Sequence, residues 1–219
     1  MDYTLDFYNE HAQSFIENTK AADMHQVQEH FLQLLSEGSS IDNDDNESPE
    51  ASKPVGDSGQ DGASILDFGC GSGRDTRYFL EKGYQVTATD GSSELCRLAS
   101  EYTGIQVKKM LFQELDDKDC YDGIWACSSI LHLPKTELLP VFHKIRVALK
   151  TNGILYTSFK YGDFEGERNG RYFTDFTEES LLEILRPISE LTMEECWITE
   201  DVRPGRGDEK WLNVILRKK

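Results

Sequence analysis

The chain has 219 residues with 40 acidic against 23 basic side chains, a formal charge of −17, and its length supports one domain with a full core and a small lid. No apolar run approaches the roughly 20 residues that cross a bilayer, and the polar, acidic opening MDYTLDFYNEHAQSF is unlike a signal peptide. Five cysteines without a C-x-x-C pair predict a reducing, cytoplasmic setting and no metal site.

Residues 3–36 show helical spacing in two pieces: Leu5, Tyr8, Ala12, Phe15 and Ile16, then Met24, Val27, Phe31, Leu32, Leu34 and Leu35. NTKAAD separates them, and the pattern predicts an N-terminal helical cap over 1–37. Residues 38–62 are rich in Gly, Ser, Asp and Pro. They bury too little apolar surface to offset their ordering entropy and read as a flexible acidic linker.

From 63 to 219 strands and helices alternate, which predicts an α/β fold with a mostly parallel sheet and helices on both faces. Strands are expected at 64–68, 85–89, 105–108, 123–128 and 154–159, and helices at 74–82, 93–102, 136–149 and 177–185. Segments 191–199 and 211–217 follow each other without a helix between them. They predict a closing antiparallel hairpin, for seven strands in all.

The first strand runs into ILDFGCGSGRDT, whose glycines Gly69, Gly71 and Gly73 are spaced G-x-G-x-G. Such a turn brings backbone N–H groups against a ligand, because no Cβ blocks the approach. A dinucleotide fingerprint wants its third glycine one residue later, where this chain has Arg74, and an arginine fits poorly between helix and strand. That substitution and the closing hairpin disfavour a nicotinamide oxidoreductase. Asp90 ends the second strand at a distance suited to a ribose-binding acid.

DFGCGSGRD with TATD, then YDGIWACSSILHL and LKTNGILY, resembles the class I S-adenosylmethionine-dependent methyltransferases over about residues 60–217. In detail the chain is similar to the small tellurite-resistance-type and general small-molecule methyltransferases. The resemblance implies a Rossmann-like fold, S-adenosyl-L-methionine as cofactor, and roles for matching residues. Asp67 would orient the cofactor amino group, Gly69 and Gly71, with Gly73 completing the turn, would meet its methionine part, and Asp90 would hold the ribose. Arg74 either faces the cofactor carboxylate or is solvated. Where the family often places an acid for the adenine amine, this chain has Leu111 and Phe112. The backbone and ring of Phe112 are the expected adenine contacts, with Gln113 or Glu114 as a polar substitute.

Substrate groups belong beyond the carboxyl ends of the strands. That puts Ser128, Ser129 and His132 near the methyl group, with His132 either a general base or a structural histidine. The loop FKYGDFEGERNGRYFT has the composition of a lid. Its Lys160, Arg168, Arg171 and Tyr172 either bind an anionic group or form a solvated loop. Arg203 and Arg206 lie in the turn between the last two strands and extend the same cationic set. Tyr8 either lies near the cofactor or packs in the core.

Residues 37–61 supply −7 of the charge, so the remainder, about −10, is acidic as well. A polyanion would approach against a repulsive field, so a small-molecule acceptor is expected ahead of nucleic acid. A tRNA wobble-uridine carboxylate methyltransferase and a non-catalytic cofactor-binding partner subunit are the alternatives.

Overall fold

The computed structural model describes residues 3–39, 62–203 and 205–219. Three helices come first: α1 (Tyr3–Glu10), α2 (Ala12–Thr19) and α3 (His25–Ser39). Residues 38 and 39 thus belong to α3, and most of the expected acidic linker lies outside the described residues. Then follow β1 (Ser64–Phe68), α4 (Arg74–Glu81), β2 (Gln85–Asp90), α5 (Ser93–Thr103), β3 (Lys108–Lys109), β4 (Tyr121–Ala126), α6 (Lys135–Ala148) and β5 (Leu149–Lys160). A short hairpin, β6 (Glu165–Arg168) with β7 (Arg171–Thr174), precedes α7 (Glu178–Leu185), β8 (Leu191–Glu200) and β9 (Lys210–Lys218).

Seven strands form one sheet in the order β3-β2-β1-β4-β5-β9-β8. The first five pair in parallel, and β9 enters antiparallel between β5 and β8. Side chains alternate between the two faces, as the period of a strand requires. Ile65, Trp125, Ile154 and Tyr156 face α3 and α4, meeting Phe31, Leu35 and Phe79. Leu66, Phe68, Ile124 and Leu155 face the other way, onto Leu138, Phe142 and Ile145 of α6 and Leu181 of α7. Phe31 is fully buried and packs edge-on to Trp125 at 5.2 Å, so α3 is part of the core on that face. It fits there because Gly123 leaves room: a Cβ on that residue would lie 2.7 Å from the Phe31 ring.

Four differences from the expected elements have local causes, the first being that the fourth strand covers 121–126 and stops short of Ser128, which is left-handed with φ of 51°. The third strand covers 108–109, because Val107 turns inward onto the cluster of Ala88, Cys96 and Ala99, and pairing with β2 starts at Lys108. The fifth strand begins at Leu149, which pairs with Tyr121 ahead of an irregularity in β4. The lid-like loop contains the β6–β7 hairpin, turned by Asn169 and Gly170 with φ of 54° and 76°. Asn-Gly is the dipeptide that suits two successive left-handed residues.

Candidate cofactor and acceptor site

The strand order reverses at β1 and β4, and the crevice outside the carboxyl ends of such strands is where open α/β sheets bind ligands. A cavity of about 620 Å³ opens there, lined by the glycine turn, Asp90, residues 110–113, residues 127–129, α1, α2 and the end of the β8–β9 hairpin.

The turn is built from left-handed backbone, with φ of 88° at Gly69, 54° at Gly71 and 76° at Gly73. The N–H groups of Gly69 and Cys70 both donate to the Thr89 carbonyl at 2.9 Å, which fixes the turn against the end of β2. A Cβ on Gly69 would come within 2.5 Å of Ser129 Cβ. Asp90 accepts from the Gly71 N–H at 2.9 Å and the Ser92 N–H at 2.8 Å. Burial raises its pKa to about 6, while those N–H groups pull the other way. Both oxygens keep acceptor capacity toward the cavity, which suits a ribose diol.

Phe112 stands edge-on to Phe68 at 4.8 Å and forms an apolar wall beside Gly69. Gln113 is hydrogen-bonded to Glu137, and Glu114 accepts the Leu111 N–H at 2.7 Å. The Gln113 bond uses its amide N–H, which leaves its carbonyl oxygen able to accept from an amine, and Gln113 is on the cavity wall whereas Glu114 is not. Ser128 is left-handed, φ 51°, and its N–H donates to Ser158 Oγ at 2.9 Å. Ser129 Oγ donates to the Phe68 carbonyl at 2.6 Å.

Asp67 lies behind the turn. Its carboxyl is almost fully buried and accepts from Thr76 Oγ1 at 2.5 Å. Burial and the nearby Asp75 raise its pKa to about 8. Arg74 grips Asp75 with two bonds of 2.8 Å and donates to the Thr19 carbonyl at 3.3 Å, on the cavity wall. Asp75 also accepts from Trp125 Nε1 at 2.9 Å and Gln28 Nε2 at 2.7 Å. Burial alone would raise the Asp75 pKa, but the Arg74 charge and these donors hold it below the usual range.

Elsewhere on the cavity wall, Tyr8 and His132 form a hydrogen-bonded pair, Oη to Nε2 at 2.8 Å. His132 Nδ1 lies 2.6 Å from the Tyr172 carbonyl. A carbonyl only accepts, so Nδ1 carries the proton and Nε2 accepts from the Tyr8 hydroxyl. Burial pushes the His132 pKa down to about 4; the Tyr172 carbonyl opposes this and the Arg171 charge adds to it. Arg171 Nη1 donates to Tyr8 Oη at 3.3 Å. Burial raises the Tyr8 pKa, with Arg171 opposing. The pair can move a proton from the cavity to Tyr8 while Tyr8 passes its own to His132.

Lys160, Arg203 and Arg206 reach the same cavity, each paired with an acid of the chain. Arg203 donates to Asp201 Oδ1 at 2.8 Å, and against the upward push of burial it draws the Asp201 pKa to about 2. Arg168 is turned away, bonded to Asp175 at 2.8 Å with its guanidinium over Phe164 at 4.2 Å. The Tyr172 ring is also off the cavity, its hydroxyl donating to Glu165 at 3.2 Å. Tyr172 takes part through its carbonyl. The Tyr8–His132 contact and the Arg74–Asp75–Trp125 cluster were not legible from spacing; the Asn-Gly pair at 169–170 was a readable signal for the hairpin that carries Arg171.

Residues 65–153 match a family model described as a methyltransferase domain. A putative methyltransferase from Bacillus subtilis is 30% identical over 110 residues, 45% of this chain and 44% of that protein, so the match spans less than half of the curated relative. The structure of a 1,6-didemethyltoxoflavin N1-methyltransferase from Burkholderia thailandensis, with bound 1,6-didemethyltoxoflavin and S-adenosylhomocysteine, is 30% identical, covers 72% of each chain and has a TM-score of 0.59. The magnesium protoporphyrin IX methyltransferase of Synechocystis, with bound S-adenosylmethionine, shares the fold over the whole of this chain and 98% of its own at a TM-score of 0.65, with 13% identity. The chain belongs to the class I S-adenosylmethionine-dependent methyltransferases. Its cofactor is S-adenosylmethionine, and the glycine cradle and the Asp90 carboxylate fit that molecule. No helix among the described residues is long and apolar enough to cross a membrane, and none of their side chains cluster as a metal site.

Proposed function

We propose that the protein transfers a methyl group to a small-molecule acceptor that gives up a proton in the reaction. The reading rests on the Tyr8–His132 pair, which adjoins the cofactor cradle within one cavity and in which the neutral imidazole already accepts from the Tyr8 hydroxyl. S-adenosylmethionine supplies an activated methyl group: the acceptor lone pair forms the new bond to carbon while the carbon–sulfur pair stays on sulfur. Gly69, Gly71, Asp90 and Phe112 hold the cofactor in this reading, with Arg74 and Ser128 shaping the wall. Tyr8 takes the acceptor proton as its own moves to His132 Nε2. Aligning the acceptor and excluding water supply most of the remaining rate, since well-oriented intramolecular reactions gain roughly 7–11 kcal/mol.

Cavity size and charge favour a small molecule over tRNA. Arg203, Arg206 and Lys160 are engaged by Asp201 and Glu209, and the whole chain carries a net charge of −17, which repels a polyanion. Incubation with methyl-labelled cofactor and either a metabolite extract or total tRNA tests this. Label is expected in a low-mass product; label in tRNA, or in neither fraction, would overturn the reading.

A further inference from the structure

Four of the cations around the cavity are held by the chain's own acids: Arg74 by Asp75, Lys160 and Arg206 by Glu209, and Arg203 by Asp201. Arg171 is different. Among the described residues it has no carboxylate partner, and its side-chain hydrogen bond is the 3.3 Å one to Tyr8. Its Nε is buried without a partner. The guanidinium is held against the rings of Phe7 and Phe173, at 4.8 and 5.1 Å from their centroids. An arginine fixed in this way on a cavity wall is preorganised for an anion.

Resting on the reading above and deepening it, we propose that the methyl acceptor is a small organic carboxylate whose anionic group binds Arg171 beside the Tyr8–His132 pair. The planar guanidinium fork matches a carboxylate better than it matches a point charge. Phe173, Tyr8 and Trp211 on the same cavity wall give the rest of the acceptor an apolar and aromatic surround.

The carboxylate would also act on the proton pair. His132 faces Tyr8 of α1 on one side and the Tyr172 carbonyl, Phe173 and Arg171 of β7 on the other. Asp90 and Arg203 act on Tyr8 from farther off. Of the groups facing His132, Arg171 is the positive charge that opposes a proton on the imidazole. An acceptor carboxylate neutralises it, so the correct acceptor raises the proton affinity of His132 as it binds. A neutral analogue would lose both the anchor and this activation.

The test uses the full chain saturated with S-adenosylhomocysteine, with benzoate, benzamide and phenyl phosphate as calorimetric probes. Benzoate is expected to bind at least about tenfold more tightly than benzamide, and Arg171→Gln to lose that factor, as for one charge-assisted pair. Arg171→Lys should retain part of the preference and keeps the series informative if the glutamine variant folds poorly. By NMR, benzoate should move the His132 titration upward in the wild type and leave it in place in Arg171→Gln. Equal binding of benzoate and benzamide, unchanged benzoate binding in Arg171→Gln, or a preference for phenyl phosphate would overturn the proposal. A parallel loss of S-adenosylhomocysteine affinity in Arg171→Gln would do so too, by giving the anion to the cofactor. Failure of the wild type to bind S-adenosylhomocysteine at all would fell the methyltransferase reading itself.

Discussion

The Tyr8 hydroxyl and His132 Nε2, 124 positions apart in the chain, meet at 2.8 Å and tie the first helix to the loop after β4. Tyr8→Phe removes the relay and keeps the ring. Turnover should fall by about 10²–10⁴-fold, the usual range for a lost acid–base group. S-adenosylhomocysteine binding should stay near the wild-type value. Steady-state kinetics beside calorimetry checks this, and a variant with full turnover would remove Tyr8 from the chemistry.

In the proposed reading Asp90 holds the cofactor ribose. Asp90→Ala takes away the acceptor of the Gly71 and Ser92 N–H groups along with the proposed ribose contact. Cofactor affinity should fall by about 100-fold, two charge-assisted bonds of roughly 1.5 kcal/mol each. The ionised carboxylate is the form that accepts from ribose hydroxyls, and its pKa in the free protein is about 6. Affinity should therefore be full above that pH and decline as pH falls through it, by up to about tenfold per unit. Isothermal titration from pH 5 to 8 reads this directly; a flat profile would contradict the assignment.

At Gly69 the backbone itself is the constraint. Gly69→Ala puts a methyl group 2.5 Å from Ser129 Cβ at a φ of 88°. It should cost roughly 1–3 kcal/mol of stability and weaken cofactor binding further by moving the Ser129 loop. Thermal unfolding with and without S-adenosylhomocysteine separates the two effects.

Asp75 is a structural hub. Asp75→Ala strands the Arg74 guanidinium, Trp125 Nε1 and Gln28 Nε2, which all donate to it. Removing one partner of such a buried pair costs about 3–5 kcal/mol. Denaturant unfolding should show a lowered midpoint, with α3 losing hydrogen-exchange protection because Gln28 belongs to it.

What the sequence made legible was local or periodic. β1 falls at 64–68 as expected, the three glycines carry the left-handed φ values that only glycine adopts freely, and Asp90 ends β2 beside them. What stayed hidden was set by contacts across the chain. Nothing near Asp75 announces that Trp125 and Gln28 converge on it. Periodicity assigns Phe31 to a helix face but says nothing of the gap that Gly123 leaves for its ring. The lid-like composition of 160–173 concealed a hairpin because its strands are only four residues long and polar on one face. Arg168 and Arg171 looked equivalent in sequence, yet Arg168 ends β6 and Arg171 begins β7, and of the two it is Arg171 that lines the cavity.

The pairing of Arg74, Lys160, Arg203 and Arg206 with neighbouring acids has a kinetic consequence. Those cations cancel locally, so an approaching molecule senses mainly the acidity of the chain as a whole, net −17. An organic acid on its way to Arg171 is then slowed at long range and captured only at contact, whereas the positively charged methyl donor is drawn in. Raising ionic strength shortens the reach of that field to about 10 Å at 0.1 M. Encounter rates of the two ligands should respond in opposite directions, the acid's rising with added salt and the donor's falling.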